Sequence, residues 1–184
     1  MALDFHALHE LLQAINGQLL EAGRLCLIGS SATILLGQDA RQTENLDVWV
    51  QASAIREAAL KRACEAAGLS FDPKDAFPSV PYLQLVHPGL VQVPGWNAEK
   101  REWFGESERV VWQGEHLTVT VPPPTALLAS KLVRGEPQDL EDCLWLMAAH
   151  AVEAEAIRTA IRALPKLAGR QAAENMEFLT LLRP

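Results

Sequence analysis

Asn45 and Asp47, in the stretch "NLDVWV", are separated by a single apolar residue. On a strand, alternate residues face the same side, so these two side chains aim together. Two carboxylates so placed would hold a divalent cation bridging substrate phosphates, the metal chemistry of phosphoryl-type transfer. Here one of the pair is an amide. An amide oxygen can ligate Mg²⁺, but it brings no charge and cannot act as a base. Upstream, "RLCLIG" runs into Gly29-Ser30-Ser31 and a short apolar helical stretch. Helix N-termini present unpaired N–H groups to anions, and small residues let a phosphate approach closely. Arg41 and Thr43, in the loop before the strand, are placed to meet a phosphate or to fix the loop. Taken alone, these residues are better explained by a plain Gly-Ser turn and a solvated strand aspartate.

The elements that must position them follow from periodicity. Asp4 caps a helix running to about Ala22, with Leu8, Leu11, Leu12, Ile15, Leu19 and Leu20 as its apolar stripe and Gly23 as its stop. "RLCLIG" reads as a buried strand, "SSATILLG" as one or two helical turns, and "NLDVWV" as a strand with Leu46, Val48 and Val50 on the other face. "ASAIREAALKRACEAAGL" is a helix closed by Gly68, and "DPKDAFPSVP" a loop. "YLQLV" and "LVQV" are short strands split by "HPG". "ERVVWQGEHLTVTV" is a hairpin. Pro122 to Pro124 end it and lead into "TALLASKLVRG", a helix closed by Gly135. Three more helices follow, in "PQDLEDCLWLMAAH", "AVEAEAIRTAIRAL" and "AGRQAAENMEFLTLL". Strands in the middle with helices on either side predict an α+β (mixed α/β) fold. The boundary expected is a core over 1–122 and a helical C-terminal region over 123–184, packed on it or merged with it in one domain.

Composition narrows the function classes. The chain has 184 residues, 49% of them hydrophobic and 21% charged, ordinary values for a globular protein able to bury a core. A net charge of −7 argues against a broad nucleic-acid surface, while leaving room for a small basic pocket. Cys26, Cys64 and Cys143 lie far apart, without CxxC spacing, and read as small buried hydrophobes rather than a disulfide frame or zinc site. No run is apolar enough to span a bilayer and no basic leader is visible, so a reducing cytoplasm is the expected location.

"LIGSSATILLG" followed by "RQTENLDVWV" resembles the signature of the nucleotidyltransferase superfamily: strand, Gly-Gly or Gly-Ser, short helix, then Arg-x-Thr-x-Asp-hydrophobic-Asp. Within it, the chain is similar to the small bacterial branch that includes the AbiEii-type toxins. Gly29 and Ser30 match the first motif, Arg41 and Thr43 the lead-in, and Asp47 the second acid. "PPPTALLASKLVRGEPQDLEDCLWLM" resembles the second block, with Lys131 on the lysine, Arg134 on the neighbouring basic position, and Asp139 and Asp142 on its aspartates. Together the blocks span about residues 25 to 147. The resemblance implies a small mixed sheet with flanking helices and a helical C-terminal region. It also implies Mg²⁺-dependent transfer of a nucleoside monophosphate from a nucleoside triphosphate. Asp47, with Asn45, would hold the metal. Gly29, Ser30 and Ser31 would hold phosphate, with Arg41, Thr43, Arg134, Asp139 and Asp142 completing the nucleotide site. Lys131 would meet triphosphate charge.

The sequence departs from that pattern at the acids. The first acidic position is Asn45. The third, on a later strand, falls on Gln84, with Gln92 as the second choice. Losing two charges should weaken metal binding. The expectation is therefore a nucleotidyltransferase-fold protein that binds a nucleotide or a protein partner, including a second copy, with little or no transfer. The alternative is an active, toxin-like enzyme moving a nucleotide to RNA, protein or a small molecule. Lys131 near a helix end, and Asp139 and Asp142 at a helix start, are equally explained by helix-dipole pairing and capping.

Overall fold

The structure, a computed structural model, describes residues 2–74 and 80–181. The chain divides into two compact units, residues 1–87 with 108–121, and residues 88–107 with 122–184.

In the first unit, α1 (Phe5–Gln18) is capped by Asp4, whose carboxylate accepts from the Ala7 N–H at 2.9 Å. It ends earlier than the apolar stripe predicts, at Gln18, and Gly23 instead opens β1 (Gly23–Ile28). The end of the helix is tied to the hairpin. Asn16 is turned inward, and its Oδ1 accepts from the backbone N–H of His116 at 2.9 Å and of Leu117 at 3.0 Å. Leu19 then stays in the core, while Leu20 is 92% exposed. Next come α2 (Gly29–Leu35), β2 (Asn45–Trp49), α3 (Glu57–Ala66), β3 (Ser70–Phe71) and β4 (Tyr82–Val86). The predicted loop over 72–81 falls partly outside the described residues, at 75–79.

The second unit opens with a stretch that departs from expectation. "LVQV" is not a strand; it contributes a single bridge, between Pro88 and Val91. Instead β5 (Trp96–Asn97) and β6 (Glu102–Trp103) form a small antiparallel pair, with the two indoles edge to face at 5.1 Å. The chain then returns to the first unit as the expected hairpin, β7 (Arg109–Gln113) and β8 (Leu117–Val121). The six-stranded mixed sheet of that unit has the order β3-β4-β2-β1-β8-β7. β1 pairs parallel with β8 and antiparallel with β2, and β2 pairs parallel with β4. The core of this unit forms around the sheet, where Leu25, Leu27, Leu46, Leu83 and Val119 are wholly buried.

The rest of the second unit is helical: α4 (Pro124–Arg134), α5 (Pro137–Ala149), α6 (Ala154–Arg162) and α7 (Lys166–Leu181). α4 packs against the other three. Pro124 and Pro137 sit at the first turns of α4 and α5, where a missing N–H costs nothing. The whole is an α+β fold. Burial pushes the Cys26, Cys64 and Cys143 thiols up to about 12. Among the described residues, no helix is long and apolar enough to cross a membrane.

Candidate functional site

Two side-chain clusters hold the residues the sequence singles out. The first is built at the turn from β1 into α2. Ile28, the last residue of β1, pairs with Asp47 on β2. Gly29 follows with φ +68°, a conformation that disfavours any side chain. A Cβ there would lie 2.5 Å from Asp47 Oδ2, so the glycine also makes room for that carboxylate. Ser30 Oγ accepts from Arg41 Nη2 at 2.9 Å, tying the loop to the helix start. Ser31, buried, donates back to the Ile28 carbonyl at 3.1 Å and so faces the protein rather than a ligand.

Asn45 and Asp47 are both half-buried and share a face, as the alternation predicts. Asn45 Nδ2 donates to Asp47 Oδ1 at 2.6 Å. Its Oδ1 lies 3.2 Å from the Thr43 hydroxyl, which is the same distance from the Asn45 carbonyl. Thr43 is itself fixed by a two-way backbone bridge to Leu3. The Asn45 amide is thus oriented from behind by Thr43 and presents its N–H pair, not its oxygen, to the carboxylate.

Parallel pairing with β4 places Tyr82 beside Asn45 and Gln84 beside Asp47. Burial, then the negative charges of Asp47 and Glu44, push the Tyr82 phenol above its ordinary value. Gln84 Nε2 donates to Asp72 Oδ1 at 3.0 Å, and the same oxygen accepts from the Leu85 N–H at 3.0 Å. Sequence reasoning missed both Asp72 and Tyr82. Asp72 follows a two-residue strand that no periodicity reveals, and Tyr82 matters only through a register the sequence does not state. Asp72 follows the strand two positions across the sheet from β2, and its carboxylate is bonded to the intervening strand β4 at Gln84 and Leu85.

The second cluster lies in the helical unit. Lys131 on α4 is 5% exposed, and Asp139 and Asp142 on α5 are 1% and 0% exposed. Lys131 Nζ donates to Asp142 Oδ2 at 2.7 Å and stands 3.6 Å from Asp139 Oδ1. Arg134 grips Asp139 with two N–H groups, at 2.5 and 2.6 Å. Two cations and two carboxylates therefore close on one another, joining α4 to α5. The Asn175 amide on α7 adds a bond to the Leu132 carbonyl at 2.8 Å, from the helix that also packs on α4.

The resemblance stated above implies Mg²⁺. The cation takes oxygen donors in near-octahedral array, usually with one or two carboxylates. The residues present do not fit it as they stand: beside Asp47 is an N–H donor, occupying a direction a cation would need. Among the described residues, no three His, Cys, Asp or Glu side chains gather into a set that could hold a metal.

The family described as a nucleotidyltransferase of unknown function (DUF6036) matches residues 4–177, nearly the whole chain. No curated protein and no solved structure matches it.

Proposed function

The chain belongs to this family of nucleotidyltransferases of unknown function, and from that premise we propose that it binds a nucleotide and transfers it weakly or not at all. The observation that carries the reading is the Asn45 Nδ2–Asp47 Oδ1 hydrogen bond of 2.6 Å. Nucleotidyl transfer requires charge on the leaving phosphates to be neutralised and the acceptor oxygen to lose a proton. An amide does neither, and the one carboxylate left is occupied by that amide. Binding has more support. Arg41, a cation, is held against Ser30 Oγ at 2.9 Å, beside the Gly29 turn.

A second reading is an active enzyme with RNA, protein or a small molecule as acceptor. One observation favours it: the Asp47 carboxylate is half-exposed and backed by a glycine, and a half-turn of the Asn45 amide would offer oxygen instead of N–H.

Calorimetric titration with each common nucleotide, followed by labelled transfer to bulk RNA and lysate, separates the two. Binding without transfer is expected. Transfer by the wild-type chain that Asp47→Ala abolishes would replace the first reading with the second. No nucleotide bound at millimolar concentration would sink both.

A further inference from the structure

The second unit contains two hollows of different character. One, of about 360 Å³, lies between α6 and α7, with Arg158, Arg162 and Glu177 in its lining. Both of those arginines are bonded to Glu155. The other, of about 480 Å³, lies where the β5–β6 ribbon meets the start of α4 and one face of α6. That volume falls within the range of small-molecule sites, about 300–1,000 Å³. It shares no residue with the Gly29–Asp47 cluster or with the Lys131 clasp.

Small side chains leave this larger space open. Ala156, Ala160 and Ala163 recur on one face of α6 and its C-terminal end. The ribbon brings two aromatic residues to it, Trp103 and Phe104. Trp103 packs edge to face on Trp96 at 5.1 Å, and the Phe104 N–H donates to the Gly95 carbonyl at 2.7 Å. The wall they form is therefore fixed before any ligand arrives. Pro123 and Ala126 are buried, while Phe104 and Glu106 are exposed, so an aromatic ring and a carboxylate stand on the open side.

Among the described residues, Glu106 is the only charged one in this lining. The start of α4 brings a partial positive charge, worth roughly half a unit, and no acid lies in its first turn. A full carboxylate exceeds that, so the hollow is negative on balance and disfavours anions. Aromatic rings draw cations through their quadrupole, and the carboxylate supplies a counter-charge.

We propose that this hollow binds a small organic cation with an apolar body, an arylalkyl ammonium. Its charge lies toward Glu106, and its apolar part lies against Trp103, Phe104 and the alanines of α6. The proposal goes beyond the nucleotide reading and does not rest on it.

The test titrates the full chain with three probes that share one phenethyl group: phenethylammonium, the neutral phenethyl alcohol, and the anionic hydrocinnamate. Calorimetry gives the affinities, and NMR amide shifts of Gly95, Gly105 and Thr159 give the place. The ammonium should bind about fivefold or more tightly than the alcohol, and hydrocinnamate should bind weakest. Glu106→Gln, at an exposed position, should bring the ammonium to within about twofold of the alcohol. Ala160→Leu, which fills the space, should weaken the ammonium and the alcohol alike, by about tenfold, in a chain whose circular dichroism is unchanged. An alcohol that binds as tightly as the ammonium would overturn the proposal. So would a preference that survives Glu106→Gln, shifts confined to other residues, or no ammonium bound at millimolar concentration. Each of these results leaves the nucleotide titration to be judged by itself.

Discussion

The two clusters solve opposite problems. On the sheet, Asn45 and Asp47 keep access to solvent but carry a single charge, quieted by an amide. In the helical unit, Lys131, Asp139 and Asp142 keep full charge but lose access, with at most 5% of each residue exposed. A charge that is to work on a ligand must be reachable and incompletely satisfied. A charge that is to hold helices together must be buried and matched. By that criterion the sheet cluster keeps the posture of a binding site, and the helical cluster that of a clasp. Matching a family motif by residue type does not distinguish these roles; the partners of each side chain do.

The largest test of the contrast is Asp142→Ala, which takes from the buried Lys131 ammonium its 2.7 Å partner and leaves it the more distant Asp139, 3.6 Å away and already gripped by Arg134. It should cost about 3–5 kcal/mol, measured by urea denaturation. Joint replacement, Lys131→Met with Asp142→Leu, should recover most of that, since a buried pair and its apolar substitute are often nearly equal in stability. Failure to recover would mean the clasp also serves something outside itself. Gly29→Ala comes next. It forces a side chain into a left-handed backbone and against Asp47 Oδ2, and should cost about 2 kcal/mol along with nucleotide binding. Asp47→Ala should cost only about 1 kcal/mol, because its hydrogen bond is half-exposed. If it destabilised the protein as much as Asp142→Ala, the contrast would fail.

The smallest effect belongs to a fully exposed ion cluster of the same helical unit. Hydrogen bonds from Arg162, then Arg158, hold the Glu155 carboxyl below its ordinary value of 4.5. A lowered carboxyl favours the folded state above that value, and the contribution disappears as pH falls through the lowered pKa. An NMR titration should show Glu155 titrating below its ordinary range, and Arg162→Ala should move it back up.

Much of the frame was legible because it is local. Asp4 announces α1 by its residue type, Pro124 and Gly135 bracket α4, and the alternation in "NLDVWV" puts Asn45 and Asp47 on one face. What was illegible depends on distant partners. The end of α1 at Gln18 comes just after Asn16, which is held by residues a hundred positions away. "LVQV" has the composition of a strand, but the segment containing it folds with the helical unit. In the site, residue identity showed that an acid was missing at position 45. It could not show that the Asn45 amide would close on Asp47, or that Thr43, itself pinned by Leu3, would stand behind it. The closure of Lys131 on Asp142 was equally hidden, since capping, phosphate contact and ion pairing all use the same residue types.

The pairing of β1 with β8 has a consequence for synthesis. Gly23 lies against Leu117, so one edge of the strand leading into the Gly29 turn has no partner until 94 further residues are made. At about 5–20 residues per second on the ribosome, that is a wait of roughly 5–20 s. During it, that edge of β1 stands open, and Asn16 has nothing to hold. The nascent chain up to β4 is therefore expected to recruit holding chaperones and to become protease-resistant only once Val121 has cleared the exit tunnel. Arrested chains ending well before and well after that point would show the step.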